Sequence, residues 1–176
     1  MRDWCDLNEL LCEGDNLGGS YEKIWVMRAQ NVNSVPSGCK GEETSEPVEI
    51  LSGTTSTMYK FPHETLGFKE SQKSGKGGEY FEISLEGYRD KISPSHQHEI
   101  CKLAPGYYVV IYKDANGFVR LLGSPDKPLR FTSFADTGKK HGDDNGVLWR
   151  FYGVSKCPAI FMDPSIEPPN ELLIPF

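Results

Sequence analysis

Along residues 80–88 apolar and polar positions alternate. Phe81, Ile83 and Leu85 fall on one side, and Glu82, Ser84 and Glu86 on the other. A period of two belongs to a β-strand with one packed face and one wet face. Residues 107–112 read YYVVIY, apolar at every position, which predicts a central strand buried on both faces. Asp114-Ala115-Asn116-Gly117 separates that run from residues 118–122. Asn and Gly both tolerate positive φ, so the pair predicts a hairpin turn. Ser124-Pro125-Asp126-Lys127-Pro128 predicts a corner that leads into a strand over 129–134. Further strands are predicted over 22–28, where Ile24 and Val26 oppose Trp25 and Met27, and over 147–154 and 159–162. Residues 48–51 and 55–61 are predicted to pair around Ser52-Gly53-Thr54.

One segment reads as a helix. Ser93 is placed to cap it, Pro94 suits its first position, and Pro105-Gly106 follows its end near Leu103. Three polar stretches, 31–47, 69–78 and 136–146, are predicted to be exposed loops. The predicted fold is therefore mainly β: an antiparallel β-sandwich or distorted barrel of about eight strands with one short helix near 94–103. Three parts are expected: an N-terminal arm over 1–20, a β-sandwich domain over 21–163, and a Pro-rich extended tail over 164–176. The tail's four prolines exclude it from a central strand position.

Composition agrees with this picture. The chain has 176 residues, the size of one domain, and its 18 Gly and 12 Pro with eight Tyr, nine Phe and three Trp suit strands joined by turns. The formal net charge is −6 and no basic stripe is present, so specific binding to nucleic acid is not expected. The cysteines at 5, 12, 39, 101 and 157 are odd in number and lack CxxC spacing, which predicts reduced thiols and no zinc site. The first residues lack the apolar stretch of a signal peptide, and no apolar run reaches membrane-spanning length.

Candidate chemistry is sparse. His96 and His98 sit two apart on the predicted helix and cannot chelate as a pair. Ser74-Gly75-Lys76-Gly77-Gly78 precedes a strand, whereas a phosphate loop precedes a helix. Residues 141–146 cluster oxygen donors without the spacing of a calcium loop, and Lys139 and Lys140 stand beside them. No Gly-x-Ser-x-Gly elbow occurs. The expectation is a protein without catalytic residues, cofactor or metal. A deep pocket joining His63 or His141 to carboxylates would reverse it. Trp25, Tyr80, Tyr107, Tyr108, Trp149 and Tyr152 are candidates for a stacking platform, against the plainer reading of core rings.

The stretch 113–131 holds KDANG followed by GSPDKPLRF. Downstream come Asp136-Thr137-Gly138, Asp144-Asn145-Gly146 and the aromatic run Trp149-Arg150-Phe151-Tyr152-Gly153. This order, with Cys12-Glu13-Gly14-Asp15-Asn16-Leu17-Gly18-Gly19 near the start, resembles structural proteins of tailed phages and prophages of Bacteroides-type gut bacteria. Residues 31–47 and 136–146 depart from that pattern in length and charge. The resemblance implies a tail-tube-like or tail-associated virion component: a β-sandwich that assembles into rings or tubes. It implies partners among its own copies and other tail proteins, no membrane, and a location in the virion, preceded by the host cytoplasm. It carries no catalytic residues. An acidic wall would let DNA pass without specific binding. Glu82, Ser84, Glu86, Asp143 and Asp144 are the assembly or lumen candidates. The alternative is a non-catalytic binding module for carbohydrate or protein.

Overall fold

The computed structural model describes residues 18–36, 43–141, 143–166 and 171–173. Within them lie twelve strands: β1 (Ser20–Arg28), β2 (Val32–Ser34), β3 (Glu49–Ile50), β4 (Ser56–Lys60), β5 (Leu66–Gly75), β6 (Gly78–Asp90), β7 (Tyr107–Asp114), β8 (Val119–Leu122), β9 (Leu129–Asp136), β10 (Gly146–Ser155), β11 (Ile160–Met162) and β12 (Glu171–Leu173). A single α-helix, α1 (Pro94–Leu103), accompanies them among the described residues. Most of the arm expected over 1–20 lies outside the described residues.

Ten strands form one sheet in the order β12-β4-β1-β7-β9-β10-β6-β5, with β8 on β7 and β11 on β8. The strand β12 runs parallel to β4, whereas the neighbouring β4–β1 and β1–β7 pairs are antiparallel. The sheet turns on itself where β7 meets β9 through two rungs, Tyr107–Arg130 and Tyr108–Leu129. The two halves then share one core, which makes the molecule sandwich-like. Ile24 and Val26 of β1, Tyr59 of β4 and Tyr108, Val110 and Tyr112 of β7 meet Ile83 and Leu85 of β6, Phe131 of β9 and Trp149 and Phe151 of β10. Each large apolar side chain buried here contributes about 1.5–3 kcal/mol. Trp149, fully buried, is the hub, with the rings of Tyr59, Phe61 and Phe131 edge-on to it at 5.1, 5.7 and 5.4 Å.

The predicted elements largely appear in place. The alternation in β6 buries Ile83 and Leu85 and leaves Glu82 exposed. The strand β7 is covered on both faces. Its second face, with Val109 and Ile111, meets Met27, Val119 and Leu121 under a cover formed by Ala29, Val32, Val48 and Met162. Ser93 caps α1, its hydroxyl accepting from His96 N at 3.3 Å. The hairpin turn closes as its residues demand. Asp114 Oδ1 accepts from Asn116 N and Phe118 N at 3.0 and 2.9 Å, and Gly117 adopts φ +93°. Ser124 and Lys127 exchange backbone hydrogen bonds across the proline-marked corner.

Four expectations are corrected. The stretch 31–47 is not wholly an exposed loop: Val32 is buried in β2, and β2 pairs with β3 in a separate ribbon. Consequently β3 and β4 are not partners. Val48 and Ile50 are drawn to the second face of β7, while β4 joins β1. The stretch 69–78 is not a loop but most of a hairpin, because β5 pairs with β6 from Leu66–Gly87 to Gly75–Gly78. Finally, Cys157 is disulfide-bonded, while Cys101 is free and exposed. The absence of CxxC spacing excludes one motif but says nothing about cysteines brought together by folding. The tail, for its part, adds Glu171–Leu173 to the edge of the sheet. No helix among the described residues is long and apolar enough to cross a membrane.

Candidate assembly surface

The strands β5, β6, β10 and β9 form one layer whose inner face packs the core. Register fixes what its outer face displays. Glu86 lies beside Arg150, and Arg150 beside Thr132. Lys69, Ser84, Tyr152 and Arg130 make the next row, and Ser71, Glu82 and Val154 the one after. On the other side of the Glu86 row stand Tyr88, Leu148 and Phe134. Glu82, Ser84 and Glu86 therefore share a face as their spacing requires. The face is electrically mixed, however. Arg150 Nε lies 3.1 Å from Glu86 Oε1 and 3.2 Å from Ser84 Oγ, while its guanidinium sits 5.4 Å over the Tyr152 ring. A trough of about 710 Å³ runs over these residues.

Asp143 and Asp144 stand at one end of this layer, beyond the rungs joining Asp90, Gly146 and Asp136. They flank a cleft of about 530 Å³ lined by Tyr88, Phe134, Leu148, Asp136 and Lys139. Phe134 is 64% exposed there. Asp143 has a structural duty: its Oδ2 accepts from Lys139 N and Lys140 N at 2.8 and 2.9 Å, which holds the carboxyl below its usual range. Asp136 Oδ1 accepts from Gly138 N at 2.9 Å. Desolvation, then the carboxylates of Asp144, Asp90 and Asp136, push the Tyr88 phenol up. All five sequence-predicted residues thus belong to one layer, three on its face and two at its end.

Sequence reasoning missed the other end. Beyond Phe81, where its pairing with β10 ends, the β5–β6 hairpin continues as a two-stranded ribbon, and residues 72–79 of it are exposed throughout. Gln72 Nε2 donates to Glu79 Oε2 across it at 2.9 Å, and Lys73 and Lys76 lie near or at its tip. At its base Glu70 Oε2 accepts from Ala159 N at 2.7 Å, tying the ribbon to the segment that carries Cys157. The available signal was the length of the polar run before residue 80, ending in Gly77-Gly78.

The remaining candidates do not converge. The six aromatics of the suggested platform are dispersed. Trp149 and Tyr108 are core residues, Trp25 packs half-buried against the second core, and Tyr152 lies under Arg150. His96 Nδ1 is 2.9 Å from Lys91 O, and His63 sits exposed beside Glu64. Among the described residues no group of three or more His, Cys, Asp or Glu is placed to hold a metal ion. A polar cleft of about 450 Å³ between α1 and β4 contains Tyr59, Glu99 and Lys102. Glu99 accepts from Lys102 Nζ at 2.9 Å and from Tyr59 OH at 3.4 Å. Burial, then Glu99, push the Tyr59 phenol up, so it stays protonated and serves as a hydrogen-bond donor rather than a base. No protein-family model, curated protein or solved structure matches this chain.

Proposed function

We propose that this protein is a structural subunit of a phage or prophage virion, a tail-tube-like component that assembles with its own copies into rings or tubes. The observation that carries the reading is the two-stranded β5–β6 ribbon beyond Phe81, whose residues 72–79 are exposed. A two-stranded ribbon with little to pack on is marginal in water and gains stability by lying on another surface. Its outer strand also offers unpaired backbone groups for strand addition, a mode of association that needs no special side chains. Lys69 and Lys73 on that strand discourage indiscriminate pairing while leaving room for a partner of matching charge. Repetition of such a heterologous contact closes rings when the rotation permits.

Two further features support this reading. The net charge of −6 suits a wall that DNA passes without adhering, although the Glu82–Glu86 face is itself mixed in sign. A bridged Cys157 suits a particle that persists outside a reducing cytoplasm. The test is light scattering and electron microscopy of the full chain at high concentration. Rings, tubes or a defined oligomer are expected. Replacing residues 72–79 with a two-residue turn is expected to abolish them without changing the circular dichroism of the body. A strictly monomeric wild type with no rings or tubes under any condition counts against the proposal.

A further inference from the structure

Resting on that reading, we infer that the lysine-bearing tip of the β5–β6 ribbon docks, head to tail, into the Tyr88–Leu148–Phe134 cleft of the next copy. The two features lie at opposite ends of one strand. Gly78 opens β6 at the tip, and Asp90 closes it beside the cleft, where it pairs with Gly146. At about 3.3 Å per residue the thirteen residues of β6 separate the two ends by roughly 40 Å. A contact between them therefore joins different copies, and one copy's tip leaves its own cleft free for the next.

The chemistry of the two ends is complementary. The cleft has an apolar floor of Tyr88, Leu148 and the exposed ring of Phe134. Asp136 and Asp144 line it, and Asp90 neighbours Tyr88 closely enough to act on its phenol. Aromatic faces with carboxylates at the rim suit a lysine side chain, whose methylenes cover the rings while the ammonium reaches the acids. Lys73 and Lys76 supply such side chains, against Glu79 on the same ribbon, which is already engaged by Gln72. Lys139 also lines the cleft, and Lys91 and Lys140 lie nearby, so the attraction is local rather than a field of one sign. Asp143 takes no direct part, because the Lys139 and Lys140 amides occupy Oδ2.

Charge exchange tests this on the full chain, read by sedimentation equilibrium. Lys76 and Asp144 are both exposed, so Lys76→Glu and Asp144→Lys should leave thermal midpoints unchanged. Each alone is expected to weaken association about tenfold, and the two combined in one chain to restore it to within roughly threefold. Carbodiimide coupling of mixed light and heavy isotope-labelled wild type should yield inter-chain Lys76–Asp144 or Lys73–Asp136 links. If the wild type assembles but neither substitution alters its affinity, or if the double variant is no better than the singles, this docking is wrong and the assembly role stands. If the wild type never associates, both fall together.

Discussion

Gly87 shows how one residue can be fixed by what lies against it. A Cβ built there would sit 2.4 Å from Phe61 Cε1. Phe61 has little room to retreat, since it packs edge-on to Trp149 at 5.7 Å and lies under the Arg89 guanidinium at 5.4 Å. Gly87→Ala is therefore expected to destabilise by about 1–3 kcal/mol, seen as a lower urea midpoint at an unchanged slope. Asp143 makes a contrasting case in a polar loop. Its folded pKa is below the unfolded value because the Lys139 and Lys140 amides stabilise the carboxylate. That stabilisation is complete above the unfolded pKa and fades as pH falls through the folded one. Below about pH 4 the Lys139 and Lys140 amide signals should move toward those of Asp143→Ala, which should show little further change on acidification. None of this was legible in the sequence. A glycine in an alternating strand looks like a weak point, and the ring that excludes a side chain there comes from residue 61.

At the scale of elements, the sequence was most informative where a segment's own pattern decides its state. Ser93 and Pro94 mark the start of α1 with their own side chains, and the alternation of β6 needs only one packed face. Ser93→Ala removes the hydroxyl that accepts from His96 N and should lower the thermal midpoint by an amount equivalent to about 1 kcal/mol. The sequence was silent where a neighbour decides. Residues 69–75 are strand by virtue of pairing with β6, and with neither face packed they show no apolar alternation. The choice of partner for β3 was hidden for a related reason. Short loops favour pairing between consecutive strands, but Val48 and Ile50 pack with Val109 and Ile111 of β7 instead. Glu82, Ser84 and Glu86 share a face because β6 alternates, whereas the cleft that Asp143 and Asp144 border depends on the register of β9 and β10.

At the scale of the whole molecule, the covalent link at Cys157 changes what the chain can be expected to withstand. Alkylation of the native protein should label Cys101 and spare Cys157. Reduction should lower the thermal midpoint, by the equivalent of about 2–4 kcal/mol for a native disulfide, and Cys101→Ser should not. The long-range pairings also bear on biogenesis. The second flank of β7, Val109 and Ile111, is roofed partly by Met162 and Ile166. Ile166 follows Ile111 by 55 residues, so at translation rates of about 5–20 residues per second that part of the roof is missing for roughly 3–11 s, with Ala29, Val32 and Val48 already made. A cell making this protein in quantity must shepherd a greasy, half-covered strand through that interval. Slower codons between residues 112 and 166 would lengthen the exposure and raise the fraction lost to clumping.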